Sequence, residues 1–144
     1  MKYIKEEIKK GINLHIINTD KFKTDLIGVF LTTPLKRETV TINALLPLVL
    51  KRGSKNIQSQ EQISEKLEEM YGANFDCGLE KLGNNQVIKF YLEEIDSNFI
   101  PEDINIIEKS INILFDIIFD PLIENNKFKK EYVEGEKIKL KQII

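Results

Sequence analysis

Histidine occurs once and cysteine once in this 144-residue sequence. A zinc site normally draws on two or more imidazole or thiolate ligands, so the chain has no ordinary way to build one alone. His15, Cys77 and carboxylates would be the only conventional mixed set, and their spacing is not diagnostic. A Cys–His nucleophile would need His15 itself as its base. The lone cysteine has no internal disulfide partner, which suits a reducing compartment; a cytoplasmic location is expected. A basic excess is also missing, with 21 Lys and Arg against 23 Asp and Glu and a net charge of -2. Nucleic acid is therefore not an expected partner. Tyr3, Tyr71, Tyr91 and Tyr132 are dispersed and form no stacking platform for bases.

Long apolar runs are absent as well. Ala44 to Leu50 and Ile111 to Phe119 are too short to span a bilayer, and Met1 to Lys10 is charged throughout, unlike a signal peptide. No membrane partner is expected. The seven glycines are scattered and make neither GxGxxG nor GxxxxGK, which removes the usual phosphate-binding loops.

What remains is ordinary globular material: 42% hydrophobic and 31% charged residues, at a length that suits one domain. A first strand is predicted over Asn13 to Asn18, approached through the turn Lys9-Lys10-Gly11. Thr24 to Thr33 reads as a strand buried on both faces, closed by Pro34. Thr39 or Thr41 caps a helix that runs through Pro47 to about Arg52 and stops at Gly53. Pro47 should kink it.

Ser59 to Gln62 has capping-box order and opens a helix whose apolar face is Ile63, Leu67, Met70 and Tyr71. Phe75, Cys77 and Leu79 then alternate with polar residues, and Ile88, Phe90 and Leu92 do the same after the turn Gly83-Asn84-Asn85. This pattern is a hairpin. Cys77 reads as a small buried hydrophobe.

A long helix is predicted from Pro101-Glu102-Asp103 to Phe119, with Ile107, Ile111, Leu114 and Ile118 on its stripe, widened by Ile106, Ile113 and Ile117. Asp120-Pro121 stops it, and Asn125 or Asn126 caps a last helix from about Phe128. Two antiparallel pairs separated by helices give an α+β fold, an antiparallel sheet with helices packed on one face. Carboxylates at Glu6-Glu7, Glu68-Glu69, Glu93-Glu94 and Glu131, Glu134 and Glu136 stand beside lysines and read as solvated faces. The last helix reaches Ile143-Ile144 without a stop signal, so residues 1–144 are expected to be part of a longer chain. An incomplete domain leaves faces uncovered, so self-association through Leu45, Val49, Ile118 and Ile143 is expected.

The order of these elements resembles the insulinase/pitrilysin-type metallopeptidases, the group with the inverted HxxEH zinc motif. Gly11 to Ile17 is similar to the family's opening "NG(L)xxxx" strand, and Leu50-Lys51-Arg52-Gly53-Ser54 to the end of its "HxxEHMxFKGT" segment. Asp120-Pro121 and Phe128 to Glu131 resemble its "NP" and "FxxE" landmarks. The resemblance implies an insulinase-like half-domain of the LuxS/processing-peptidase type, with residues 1–144 the N-terminal part of one such domain.

It also implies where the chemistry should be. Counted back from Gly53, the two histidine ligands fall on Ala44 and Leu48 and the catalytic glutamate on Pro47. None of the three replacements has a side-chain donor atom. The family's third ligand is a glutamate on the last helix, near Glu134 or Glu136, and Asp76-Cys77 lies near the edge strand that holds extended peptide. The family includes silent subunits that pair with active ones, and this sequence resembles those. The implied protein needs no cofactor of its own, zinc residing in an active insulinase-type paralogue with which it would share a peptide substrate. Two rivals stay open: a working zinc peptidase with ligands supplied from elsewhere, and an unrelated interaction module.

Overall fold

The computed structural model describes residues 1–143. In chain order the elements are β1 (Lys2–Lys9), β2 (Ile12–Asn18), β3 (Thr24–Pro34), α1 (Val40–Leu50), α2 (Gln60–Glu69), β4 (Asn74–Leu82) and β5 (Asn85–Ile95). After a short 3-10 turn (Ser97–Phe99) come α3 (Ile106–Phe119), β6 (Ile123–Glu124), β7 (Lys127–Phe128) and α4 (Lys130–Ile143). The fold is α+β with antiparallel pairing. It is not one sheet, however: the strands among the described residues form a β1–β2 hairpin, a sheet of order β3–β5–β4 and a small β6–β7 ribbon.

The central sheet forms because β4 and β5 are joined by the two-residue turn Gly83-Asn84, where Gly83 takes φ +59°. Their register pairs Phe75 with Leu92 and Cys77 with Phe90. β3 pairs along the other side of β5, with Val29 opposite Phe90. One face of this sheet carries Ile88, Phe90 and Leu92, which join Leu50, Ile63, Ile113, Leu114 and Ile117 in a single apolar cluster. Phe90, Leu92, Leu114 and Ile117 are fully buried. Burying each such side chain contributes about 1.5–3 kcal/mol. The other face of β3 is open, with Leu26 and Phe30 exposed, so the strand is half-buried and not covered on both sides as its composition suggests.

α1 begins after Thr39 and continues through Pro47, whose missing N–H deprives the Asn43 carbonyl of its helical donor. Its first turn is tied to β5 through Gln86, which accepts from Asn43 Nδ2 (2.9 Å) and donates to the Val40 carbonyl (2.9 Å). Beyond the helix, Gly53 has φ +153°, and a Cβ there would stand 2.8 Å from the Ile57 carbonyl oxygen. Only glycine fits that close approach. Ser54 closes the loop, its N–H donating to the Ile57 carbonyl (2.7 Å) and its Oγ accepting from the Ile57 N–H (3.0 Å).

α2 is capped as its sequence predicts, with Ser59 Oγ accepting from the Gln62 N–H at 3.2 Å. Tyr71 falls past its end at φ +58° and is exposed, so it leaves the apolar face. α3 starts five residues later than Pro101 suggests. Asn105, not the Pro-Glu-Asp run, is its cap and accepts from the Glu108 N–H at 3.1 Å. The buried stripe is Ile106, Ser110, Ile113, Leu114, Ile117 and Ile118, so Ile107 falls outside it, exposed, and Ile111 is half-buried at its edge.

Asn125 and Asn126 cap no helix. Both take positive φ (51° and 59°) as the turn of β6–β7, and α4 begins at Lys130. β1 was hidden from sequence reasoning by its Lys and Glu content. Of the residues expected at a self-association surface, Val49 and Ile118 are core residues, Leu45 is half-buried, and Ile143 is exposed.

Candidate functional site

Positions 44, 47 and 48 lie on one side of α1 by helical spacing. Pro47 is fully buried, while Ala44 and Leu48 are half-buried. α1 packs on β4, on β5 and on α4, so residues far apart in the chain meet around its C-terminal half. The Cys77 thiol on β4 donates to the Pro47 carbonyl oxygen at 3.4 Å, and the Lys51 N–H donates to the same oxygen at 3.0 Å. Asp76 beside it is exposed, accepts from the Cys77 N–H (2.8 Å) and lies 3.7 Å from Lys51 Nζ.

Glu136 and Glu134 separate cleanly on α4. Glu134 is exposed and pairs with Lys137 at 2.9 Å, which holds its carboxyl below the ordinary range. Glu136 is buried, 5% exposed, and its Oε1 accepts from Arg52 Nε (2.7 Å) and from Lys139 Nζ (3.1 Å), with Arg52 Nη2 at 2.5 Å. The Arg52 guanidinium also stands 5.5 Å from the Tyr132 ring centroid. Arg52 therefore bridges α1's end to α4. The reading of the acidic clusters as solvated faces is thus corrected at Glu136, and again at Glu94, which is 2% exposed. In both cases β or helical periodicity turns one member of the cluster inward while its neighbours stay in water.

The electrostatics quiet the thiol. Burial pushes Cys77 up to about 11; Lys51 opposes the shift, and Asp76 and Glu136 add to it. A thiol at that value is protonated near neutrality and is not a nucleophile. His15 is not part of this neighbourhood. It sits on β2 with its ring stacked on Tyr3, whose hydroxyl shares a hydrogen bond with Nδ1 at 2.7 Å.

Zinc, the metal implied by the resemblance, does not fit the donor set on α1. Ala44 and Leu48 end in carbon, Pro47 has no carboxylate, and Glu136 is already engaged by two cations. Among the described residues, no three His, Cys, Asp or Glu side chains are grouped to hold an ion. No helix among them is long and apolar enough to cross a membrane. Of the positions implied by the resemblance, Pro47 and Cys77 meet through a hydrogen bond, and Glu136, one of the two glutamates left open on the last helix, lies near enough to act on the Cys77 thiol. Sequence reasoning did not single out Lys51 and Arg52 as site residues, although two adjacent cations at a helix end are a readable signal for carboxylate partners.

The arrangement defines an α+β chain in which one helix face, packed against an edge strand and a last helix, offers no metal-binding side chain. Comparison with known proteins gives this class a more particular neighbour. Over 146 residues the chain is 36% identical to the "Probable inactive metalloprotease YmfF" of Bacillus subtilis (strain 168), a match covering 100% of this chain and 34% of that protein. A crystal structure of a conserved protein from Enterococcus faecalis V583 superposes with a TM-score of 0.92 at 33% identity, over 98% of this chain and 33% of that one. The chain thus spans about a third of the length of the curated relative it matches. No family model matches the sequence.

Proposed function

We propose that this chain is a non-catalytic peptidase homologue of the insulinase type, the N-terminal part of one domain of a longer cytoplasmic protein. It contributes a peptide-binding or partner-binding surface to an assembly whose zinc lies in an active paralogue. The observation that carries this reading is the chemistry of α1, where Ala44, Pro47 and Leu48 stand where the resemblance puts two ligands and a general base. Similarity along its whole length to a protein named as a probable inactive metalloprotease supports it.

The surface left to such a subunit is backbone. β4 is an edge of the central sheet, so an extended peptide can pair along it, with Asp76 and Cys77 in the pairing strand once the Asp76 carboxylate yields the Cys77 N–H. Pairing of that kind uses no catalytic side chain and survives loss of the zinc motif.

Metal analysis of the purified chain after incubation with zinc and desalting tests the reading. Substoichiometric zinc, with no peptide cleavage, is expected. One tightly held zinc per chain, or cleavage abolished by a chelator, would overturn the silent assignment.

A further inference from the structure

The two-residue turn of the β4–β5 hairpin makes Leu82 and Asn85 a hydrogen-bonded pair, and the ladder alternates from there. The N–H groups of Phe75, Cys77 and Leu79 therefore point away from β5, toward the open edge of the sheet. At Cys77 that edge is closed from within. Its N–H donates to Asp76 Oδ1 at 2.8 Å, where a pairing strand would place a carbonyl oxygen. Lys51 Nζ stands 3.7 Å from the same oxygen. The Cys77 thiol faces α1, since it donates to the Pro47 carbonyl, and strand alternation puts Asp76 on the opposite face. Lys51 starts from the α1 side, its own N–H held by that Pro47 carbonyl at 3.0 Å. The ion pair thus passes around the edge of β4, from one face of the sheet to the other.

We infer that Asp76 and Lys51 form a strap that sets how tightly the β4 edge accepts an extended peptide. The inference rests on the proposed reading of β4 as a pairing edge and names what holds that edge shut. Asp76 is the cap: its carboxylate satisfies the outward donor that lies beside the end of α1. Lys51 is the anchor, holding the carboxylate at the edge by charge. Their side chains are 69% and 40% exposed, so solvent weakens the ion pair and the strap opens at modest cost. An incoming strand must displace the carboxylate before its own carbonyl reaches the Cys77 N–H. One hydrogen bond is then exchanged for another, and the net gain from pairing there is small. A charged side chain on an edge strand protects it from unwanted pairing in the same way.

Asp76→Ala removes the cap, whereas Asp76→Asn keeps an oxygen for the Cys77 N–H and loses only the charge. In amide exchange followed by NMR without peptide, the Cys77 protection factor is expected to fall about fivefold in Asp76→Ala and to stay within about twofold in Asp76→Asn. Leu79 should not change in either variant. Fluorescence anisotropy with a labelled peptide of alternating valine and threonine then reads the edge. Asp76→Ala should bind it about fivefold more tightly than the native chain, with Lys51→Ala between the two. Unchanged protection at Cys77 in Asp76→Ala would overturn the inference, and so would equal affinity of the two proteins for the peptide. A peptide that binds none of the proteins, alongside lost protection, would confirm the cap and overturn the pairing edge of the proposed function.

Discussion

Arg52 at the end of α1 donates through Nε to Glu136 Oε1 on α4 at 2.7 Å, a contact spanning 84 positions of sequence. The carboxylate is buried and the guanidinium about three-quarters so, which makes the pair a tie between two helices and not a surface decoration. Removing one partner of a buried pair leaves the other's charge without compensation, and that loss exceeds the net worth of the pair.

Arg52→Ala is therefore expected to lower unfolding stability by about 2 kcal/mol in a urea titration, Lys139 retaining part of the compensation. Glu136→Gln should cost less, because the amide leaves no buried anion. A double variant that loses the sum of both single effects would show that the two residues are not coupled.

Glu94 gives the second expectation. Its two carboxyl oxygens are buried without a hydrogen-bond partner, and Asp25 lies directly opposite on β3. Burial, with Asp25 adding to it, pushes its carboxyl up to about 7, so the native chain holds this proton more tightly than the unfolded one. Stability from this group is complete below its ordinary value near 4.5, falls as pH rises toward 7 and is level above that. The fall amounts to about 3–4 kcal/mol at about 1.4 kcal/mol per pKa unit. Glu94→Gln should flatten the pH 5–7 limb of a denaturation series and raise stability at pH 8. An unchanged pH profile would show that Glu94 is not its source.

Cys77 supplies the third. With its thiol near 11, alkylation by iodoacetamide at pH 8 should run about 100-fold slower in the native chain than in the chain unfolded in urea. Lys51→Ala removes the one nearby cation that favours the thiolate and should slow the reaction further. Cys77 is half-buried, not fully buried as its alternation suggests, and a native thiol that reacts as fast as the unfolded one would contradict its shielding against Pro47.

These residues also show where the sequence was legible. Ser59 as a cap, Gly83-Asn84 as a turn and Asp120-Pro121 as a stop are local devices, set by a few neighbouring atoms, and each is found where its spacing predicts. The β4–β5 hairpin beside β3 was readable from period-two alternation. Signals failed where the deciding partner is distant. Glu94 and Glu136 sit in charged pairs that look solvated, and only the sheet and helix registers turn them inward. Asn125-Asn126 suits a cap or a tight turn equally, and the β6–β7 pairing chose the turn. The exposed side of β3 carries Leu26 and Phe30, which no periodicity argument distinguishes from a buried strand.

Pro47 has a consequence for restoring a metal site in such a chain. The imino acid sits in a closed apolar setting inside α1, and its carbonyl is engaged by both Cys77 and Lys51. A glutamate there would return an N–H to the Asn43 carbonyl but would place a longer, charged side chain where the present one is fully buried. Histidines at 44 and 48 would have to arrive as well before any ion could be held. A single substitution on this face of α1 therefore creates no metal site, because each of the three positions leaves the other two without a donor.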